Sequence, residues 1–358
     1  MFGVYKSKLI LFVVTIILIF SFAISYGTCA AKYQFNLACV DKPWGEGGVE
    51  ATLLAQSVRM ATGGAVDIKV FPGGEWGGSD EDYLKELQLG TLDMAAFATS
   101  PMSQFTDALT VFDIVFLFKG PIEETLFIFN SGTEFTPIVQ KLIERVNKET
   151  GMILLTIAPT GRRDVFSSKP LNKIKDLKGL KIRTMGSNLQ VDAFNFMGAL
   201  ATPMPSGDVY SALQLGTIDA AENSPNDYMT KRHYEVAPYW MCTSHYTSSM
   251  AIAMSKKAWD SLPSAYQNII KNCAIETGYA TAQWGIGITD VYMEGPLKEL
   301  TKTIYHPKEA ELKELREKTL PKLLDKYGKQ VGMDVIETLS KKDEVIKDWY
   351  DKNKDKLK

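Results

Sequence analysis

Three histidines serve a chain of 358 residues, and His233, His245 and His306 stand apart with no carboxylate or cysteine at ligand spacing. No metal motif is legible and no cofactor is expected. No glycine-rich loop runs into Lys-Ser or Lys-Thr, so the phosphate cradle of an NTPase is missing. No dinucleotide fingerprint opens a helix after the first strand, and no Gly-x-Ser-x-Gly elbow is present. Basic excess is lacking too: 40 Lys and Arg face 42 Asp and Glu, which argues against a nucleic-acid partner. These absences favour a binding protein over an enzyme. Cysteine numbers four, and without Cys29 the remaining Cys39, Cys242 and Cys273 are odd in number with no metal-type spacing. Cys39 alternates with Leu37 and Phe35, and Cys273 sits on an apolar helix face. Buried small hydrophobes are favoured there over a disulfide.

Long apolar runs are absent except for one. Leu9 to Ile24 is almost wholly apolar, preceded by Lys6 and Lys8 and followed by Gly27-Thr28-Cys29-Ala30-Ala31. This is the layout of a secretory signal peptide over residues 1–30, cleaved after Ala30 or Ala31. It predicts a soluble periplasmic protein. An uncleaved anchor is the competing reading, and Tyr26-Gly27-Thr28 is a poor lipobox for lipidation of Cys29.

What the chain does contain is a repeat. Leu87-Gln88-Leu89-Gly90-Thr91-Leu92-Asp93-Met94-Ala95 returns as Leu213-Gln214-Leu215-Gly216-Thr217-Ile218-Asp219-Ala220-Ala221. Each copy ends an amphipathic helix at a glycine suited to the left-handed conformation, starts a strand at the following threonine, and reaches a Ser-Pro pair. Two such units predict two similar α/β lobes with the ligand between them, beyond the carboxyl ends of the strands. Periodicity predicts strands over 33–40 and 66–71, helices over 49–60 and from Ser79 to Gly90, and a third strand after it. The βαβαβ order favours a mostly parallel sheet. Further strands are expected over 153–158, 180–184, 202–204 and 250–254. A helix from about Ser264 to Met293 is some 45 Å long at about 1.5 Å per residue, more than one lobe needs. The domain reading is lobe I over 31–157, lobe II over 158–246, a return to lobe I over 247–263, the spanning helix over 264–294 and a charged helical segment over 295–358.

One stretch carries a family resemblance. Asp176-Leu177-Lys178-Gly179-Leu180-Lys181-Ile182-Arg183, then Gly198-Ala199, Thr202-Pro203-Met204, Val209-Tyr210-x-Ala212-Leu213-Gln214-x-Gly216 and Ile218-Asp219-x-x-Glu222-Asn223, resembles the extracytoplasmic solute receptors of TRAP transporters, dicarboxylate-receptor type. Phe71-Pro72-Gly73-Gly74, the 111–118 segment and Trp259 to Pro263 fit as well. The resemblance implies two α/β lobes joined by strand crossovers and spanned by a long helix. It implies an organic acid bound between them, closure, and delivery to the small and large TRAP membrane subunits. The family's carboxylate-binding arginine falls on Arg183, a second arginine on Arg163, and the ligand-contacting asparagine on Asn223. Arg162 is adjacent to Arg163, and only one of the two can face the ligand. A phenylalanine of some members is replaced here by Ser206, leaving room for a bulkier or more polar solute. Thr184-Met185 is similar to the branch that takes sugar acids such as uronates.

The residue types suit these roles. Arginine offers a planar fork for a carboxylate, and asparagine offers both donor and acceptor. In lobe I, Trp44, Trp76, Thr99 and Ser100 lie in loops expected at the cleft. The tryptophans either meet the solute or anchor their loops. A sensory protein for a membrane kinase or chemoreceptor, and a periplasmic enzyme, are the rival functions.

Overall fold

The computed structural model describes residues 31–355, so the expected leader and Cys29 lie outside the described residues. Eleven strands are present among the described residues. They are β1 (Tyr33–Cys39), β2 (Val66–Phe71), β3 (Met94–Ala98), β4 (Phe129–Ser131), β5 (Glu134–Phe135), β6 (Ile153–Ser167), β7 (Lys181–Thr184), β8 (Leu200–Pro203), β9 (Ala220–Asn223), β10 (Tyr239–Met254) and β11 (Thr303–Tyr305). One large sheet has the order β2-β1-β3-β10-β6-β9-β7-β8, with β11 beside β10, and β4-β5 form a separate hairpin. In lobe I, β2, β1 and β3 are parallel and the end of β10 runs antiparallel to β3. In lobe II, β8, β7 and β9 are parallel and the end of β6 runs antiparallel to β9.

The lobes therefore share two strands. β6 and β10, 15 and 16 residues long, pair with each other along most of their length. The sequence reading ended the first at Ala158 and began the second at Met250. Both run on because their polar middle is buried and bonded within the protein. Thr160, Arg163, Asp164, Thr243, His245 and Ser248 are all buried. Such polarity mimics a loop in the sequence, whereas here it is buried, and Arg163 and Ser248 line the interlobe space. Register shifts between Met241 and Tyr246 and between Ser248 and Ser249 bend the pair there.

The repeat is a structural device used twice. Gly90 and Gly216 have φ of 68° and 69°, the left-handed value that ends each helix. The Thr91 and Thr217 amides each donate to a carbonyl of the preceding helix, Glu86 and Ala212, at 3.0 Å. One Asp93 carboxylate oxygen then accepts the Asn36 amide of β1 at 2.9 Å, and Asp219 accepts the Lys181 amide of β7 at 3.2 Å. The strands start later than predicted, at Met94 and Ala220, because Thr-Leu-Asp and Thr-Ile-Asp are spent on this turn.

The helix Ser264–Glu294 crosses both lobes. Its Ile270, Cys273 and Ala274 lie in the lobe I core with Leu54 and Val58, while Met293 joins Phe166, Tyr228 and Trp240 in lobe II. Between them it lies directly on β6. A Cβ at Gly278 would stand 2.0 Å from Thr156 Oγ1, and one at Gly285 2.0 Å from the Thr160 carbonyl. The C-terminal helices brace the same junction: Arg316 Nε donates to the Phe116 carbonyl at 3.1 Å, and Tyr327 donates to Asp192 of lobe II. Cys39, Cys242 and Cys273 are buried free thiols. No helix among the described residues is long and apolar enough to cross a membrane.

Candidate functional site

The strand ends of both lobes and the bend of the crossover strands enclose a cavity of about 520 Å³. Lobe I contributes the end of β1 with Asp41, the start of the helix Glu46–Ala61, and the start of the helix Asp80–Leu89. Lobe II contributes Arg183 at the end of β7, Asn223 at the end of β9, the 205–208 turn, and Asp227 and Lys231 on the following helix. The Glu46–Ala61 helix begins three residues before the predicted start, because Asp41 accepts the Gly47 amide at 3.1 Å and satisfies its first turn.

Two arginines reach the cavity, and they differ in who holds them. Arg163 donates from Nε and Nη2 to both carboxylate oxygens of Glu222, each at 2.7 Å, and from Nη1 to Ser248 Oγ at 3.3 Å. The Tyr246 ring covers its guanidinium. Burial alone would raise the Glu222 carboxyl, but the charge and hydrogen bonds of Arg163, with His245 Nε2 3.2 Å away, hold it at about 2. Arg162 instead pairs with Asp164. Arg183 is 3% exposed, and its Nε donates to the Met204 carbonyl at 2.8 Å. Among the described residues Nη1 and Nη2 have no protein acceptor. Burial, with Arg163 nearby, pushes its pKa down, the mark of a cation short of a partner.

Asn223 lines the cavity with its amide oriented by neighbours: Nδ2 donates to Asp227 at 3.0 Å and Oδ1 accepts the Ser224 amide at 2.9 Å. Ser206 lines it too, accepting from Lys231 Nζ at 3.0 Å. Lys231 also binds Asp227 at 2.6 Å and, across the cleft, Asp41 at 2.9 Å. Burial opposes its charge, yet these two carboxylates raise its pKa on balance.

The four lobe I residues expected at the cleft stand off the cavity. Trp44 is 58% exposed, and its carbonyl accepts from Asn226 of lobe II at 3.4 Å. Trp76 anchors its loop, donating to Glu86 at 2.9 Å and packing edge-on against Phe71. Thr99 is buried and donates its amide to the Ser249 carbonyl. Ser100 donates to Asp113 at 2.6 Å and accepts from Gln190 of lobe II at 2.8 Å, a contact between lobes behind the cavity.

Residues absent from the sequence reading fill that place. Glu46 Oε2 accepts from Thr160 at 2.7 Å and Ser248 at 2.6 Å, while Oε1 is buried without a hydrogen bond. Burial, helped by Asp227, lifts its pKa to about 7 despite the tempering hydroxyls of Ser224, Ser248 and Thr160. Asp80 Oδ2 accepts the Ala98 amide at 3.2 Å, and Oδ1 is buried without a partner. Burial, then Asp41, lifts this carboxyl to about 8. Burial, then Lys231 and Arg183, lowers His233 to about 3 and leaves it neutral. Asp41 was findable, since it follows the carboxyl end of the first strand, where the strand-end rule places ligands. Glu46 and Asp80 were not, because a carboxylate at a helix start reads as a cap. No group of three or more His, Cys, Asp and Glu among the described residues is arranged to hold a metal ion.

The sequence pattern of bacterial extracellular solute-binding protein family 7 matches residues 42–330. A solute-binding protein of Chromohalobacter salexigens is 29% identical over 70% of this chain and 73% of its own length. The C4-dicarboxylate-binding periplasmic protein of Rhodobacter capsulatus is 28% identical over 84% and 87%. Among solved structures, a TRAP periplasmic solute-binding protein from Sulfitobacter sp. NAS-14.1 with bound β-D-galacturonate superposes with a TM-score of 0.73. It is 26% identical, with 83% of this chain and 96% of that one covered.

Proposed function

The chain belongs to the bacterial extracellular solute-binding proteins of family 7, and from that premise we propose that it is the receptor of a TRAP transporter. It binds a carboxylate-bearing small molecule between its lobes and delivers it to the membrane permease. One observation carries this reading: Arg183 is buried against the interlobe cavity with both terminal nitrogens unpartnered. An unpaired buried cation is costly, and a ligand carboxylate received by its fork removes that cost. Arg163 is held by Glu222 and Ser248 as scaffold beside it. Asn223, fixed by Asp227 and Ser224, presents its amide, and Ser206 with Lys231 borders the same space. The ligand favours the closed form because Arg183 comes from lobe II while the facing wall comes from lobe I. The relatives' role as binding proteins supports transport over turnover. The same kinship supports a periplasmic location and the small and large TRAP membrane subunits as partners.

The test is a thermal-shift screen of refolded protein with carboxylic acids, repeated with Arg183→Ala. A cognate acid at a hundredfold excess over Kd stabilises the native state by about 2.7 kcal/mol, a shift of roughly 5 °C. The expected result is that shift in the wild type and none in Arg183→Ala. A full shift retained by the variant would remove the carboxylate site from Arg183.

A further inference from the structure

We propose that the molecule held by Arg183 also carries a positively charged nitrogen, so that the ligand is a zwitterion and the wall formed by Asp80, Glu46 and Asp227 is its cation subsite. This rests on the receptor reading above and narrows its ligand class.

Acidic side chains outnumber basic ones on the cavity lining, seven to four. Of the four bases, Arg163 is saturated by Glu222, Lys231 by Asp41 and Asp227, and Lys42 is exposed at the mouth. Arg183 alone has an open fork. A simple monocarboxylate would therefore bring no cation to Asp80 and Glu46, whose charged forms burial disfavours. The second carboxylate of a diacid would meet Asp80 and Glu46 with no cation to receive it. Charges on buried walls interact more strongly than in solvent, so this mismatch weighs against plain acids and diacids.

Glu46 Oε1, Asp80 Oδ1 and Asp227 Oδ1 are each out of solvent contact with no hydrogen bond. Glu46 and Asp227 are 1% and 5% exposed, and all three residues line this cavity. Buried carboxylate oxygens demand donors. Other acids nearby have theirs: Asp82 is closed in a capping box with Ser79, and Asp41 holds Lys231 and the Gly47 amide. An ammonium group offers three donors together with the compensating charge, whereas hydroxyls offer donors alone. Asp80 and Glu46 of lobe I with Asp227 of lobe II thus supply the acceptors, Arg183 supplies the open fork, and a zwitterion satisfies both when the lobes meet.

Calorimetric titration of refolded full-length mature protein tests this with matched series. The probes are ω-amino acids of three to six carbons, their ω-hydroxy and dicarboxylic counterparts, α-amino acids with their α-hydroxy counterparts, and galacturonate. Expected is an amino acid that binds at least tenfold more tightly than its hydroxy and dicarboxylic counterparts. Asp80→Asn and Glu46→Gln, nearly isosteric changes checked for folding by circular dichroism, should each cut that amino-to-hydroxy ratio at least fivefold. Arg183→Ala should abolish binding of both members of a pair. If a hydroxy acid, a diacid or galacturonate binds through Arg183 as tightly as any amino acid, the cation subsite is wrong and the receptor reading stands. A ratio unchanged in both folded carboxylate variants also removes the subsite. If no carboxylate binds, or binding ignores Arg183, both readings fall.

Discussion

Arg163 and Arg183 line one cavity, yet Glu222 occupies the first and nothing in the protein occupies the second. The same residue type is scaffold at one position and open anchor at the other, and only the partner decides which. Sequence reading placed both arginines at the cleft through family resemblance and left open whether Arg162 or Arg163 faced inward. The answer is set by Asp164 and Glu222, which lie two and about sixty residues away. Another buried acid carries a prediction of its own. Glu50 is 0% exposed, both its oxygens lack partners, and burial alone raises its pKa to about 8. The unfolded chain loses this proton near pH 4.3. Between about pH 4.3 and 8 the folded form keeps a proton that the unfolded form has lost, so this group's contribution to stability falls as pH rises. Glu50→Gln should remove that slope, with a gain that is small at pH 5 and grows to roughly 2–4 kcal/mol at pH 8. Urea denaturation at the two pH values reads it, and a gain equal at both would refute the cause.

At the scale of elements, the long helix depends on close approach to β6. The Thr160 carbonyl leaves no room for a Cβ at Gly285, whereas Gly287, two residues on, faces open space. Gly285→Ala should cost about 2–3 kcal/mol by lifting the helix from the strand. Gly287→Ala should add about 0.5–1 kcal/mol through helix propensity. Equal effects in urea denaturation would mean that the helix is not seated as described. The helix was readable from spacing of apolar residues, and the two helix–glycine turns from the repeat. The crossover strands were half read, because their buried polar middle carries no alternation of apolar and polar residues. β6 pairs with β10 along most of its length and with β9 over Asp164 to Ser167, so its polar residues are bonded inside the sheet rather than facing solvent.

For the whole molecule, the closed cleft is held by contacts between lobes. Lys231 meets Asp41, Gln190 meets Ser100, Gln104 meets the Gly186 carbonyl and Asn226 meets that of Trp44. Lys231→Met would leave Asp41 and Asp227 facing each other across the cleft without a cation. We expect a larger radius of gyration in solution scattering without ligand, and ligand affinity lower by about tenfold, or about 1.4 kcal/mol. Unchanged scattering and affinity would assign closure to the long helix and C-terminal helices instead.

The sequence by itself determined what depends on near neighbours: helix ends at Gly90 and Gly216, the parallel α/β order, the length of the spanning helix, and the residue types able to hold a carboxylate. Tertiary structure alone decided what depends on partners distant in the chain. It made Glu222 the holder of Arg163, moved Trp76 and Ser100 away from the cavity, and brought Asp80, Glu46 and Asp227 to its wall. The reason is physical. A turn or a helix end is satisfied by bonds to residues a few positions away, whereas a buried charge takes its role from whichever opposite charge the fold sets beside it.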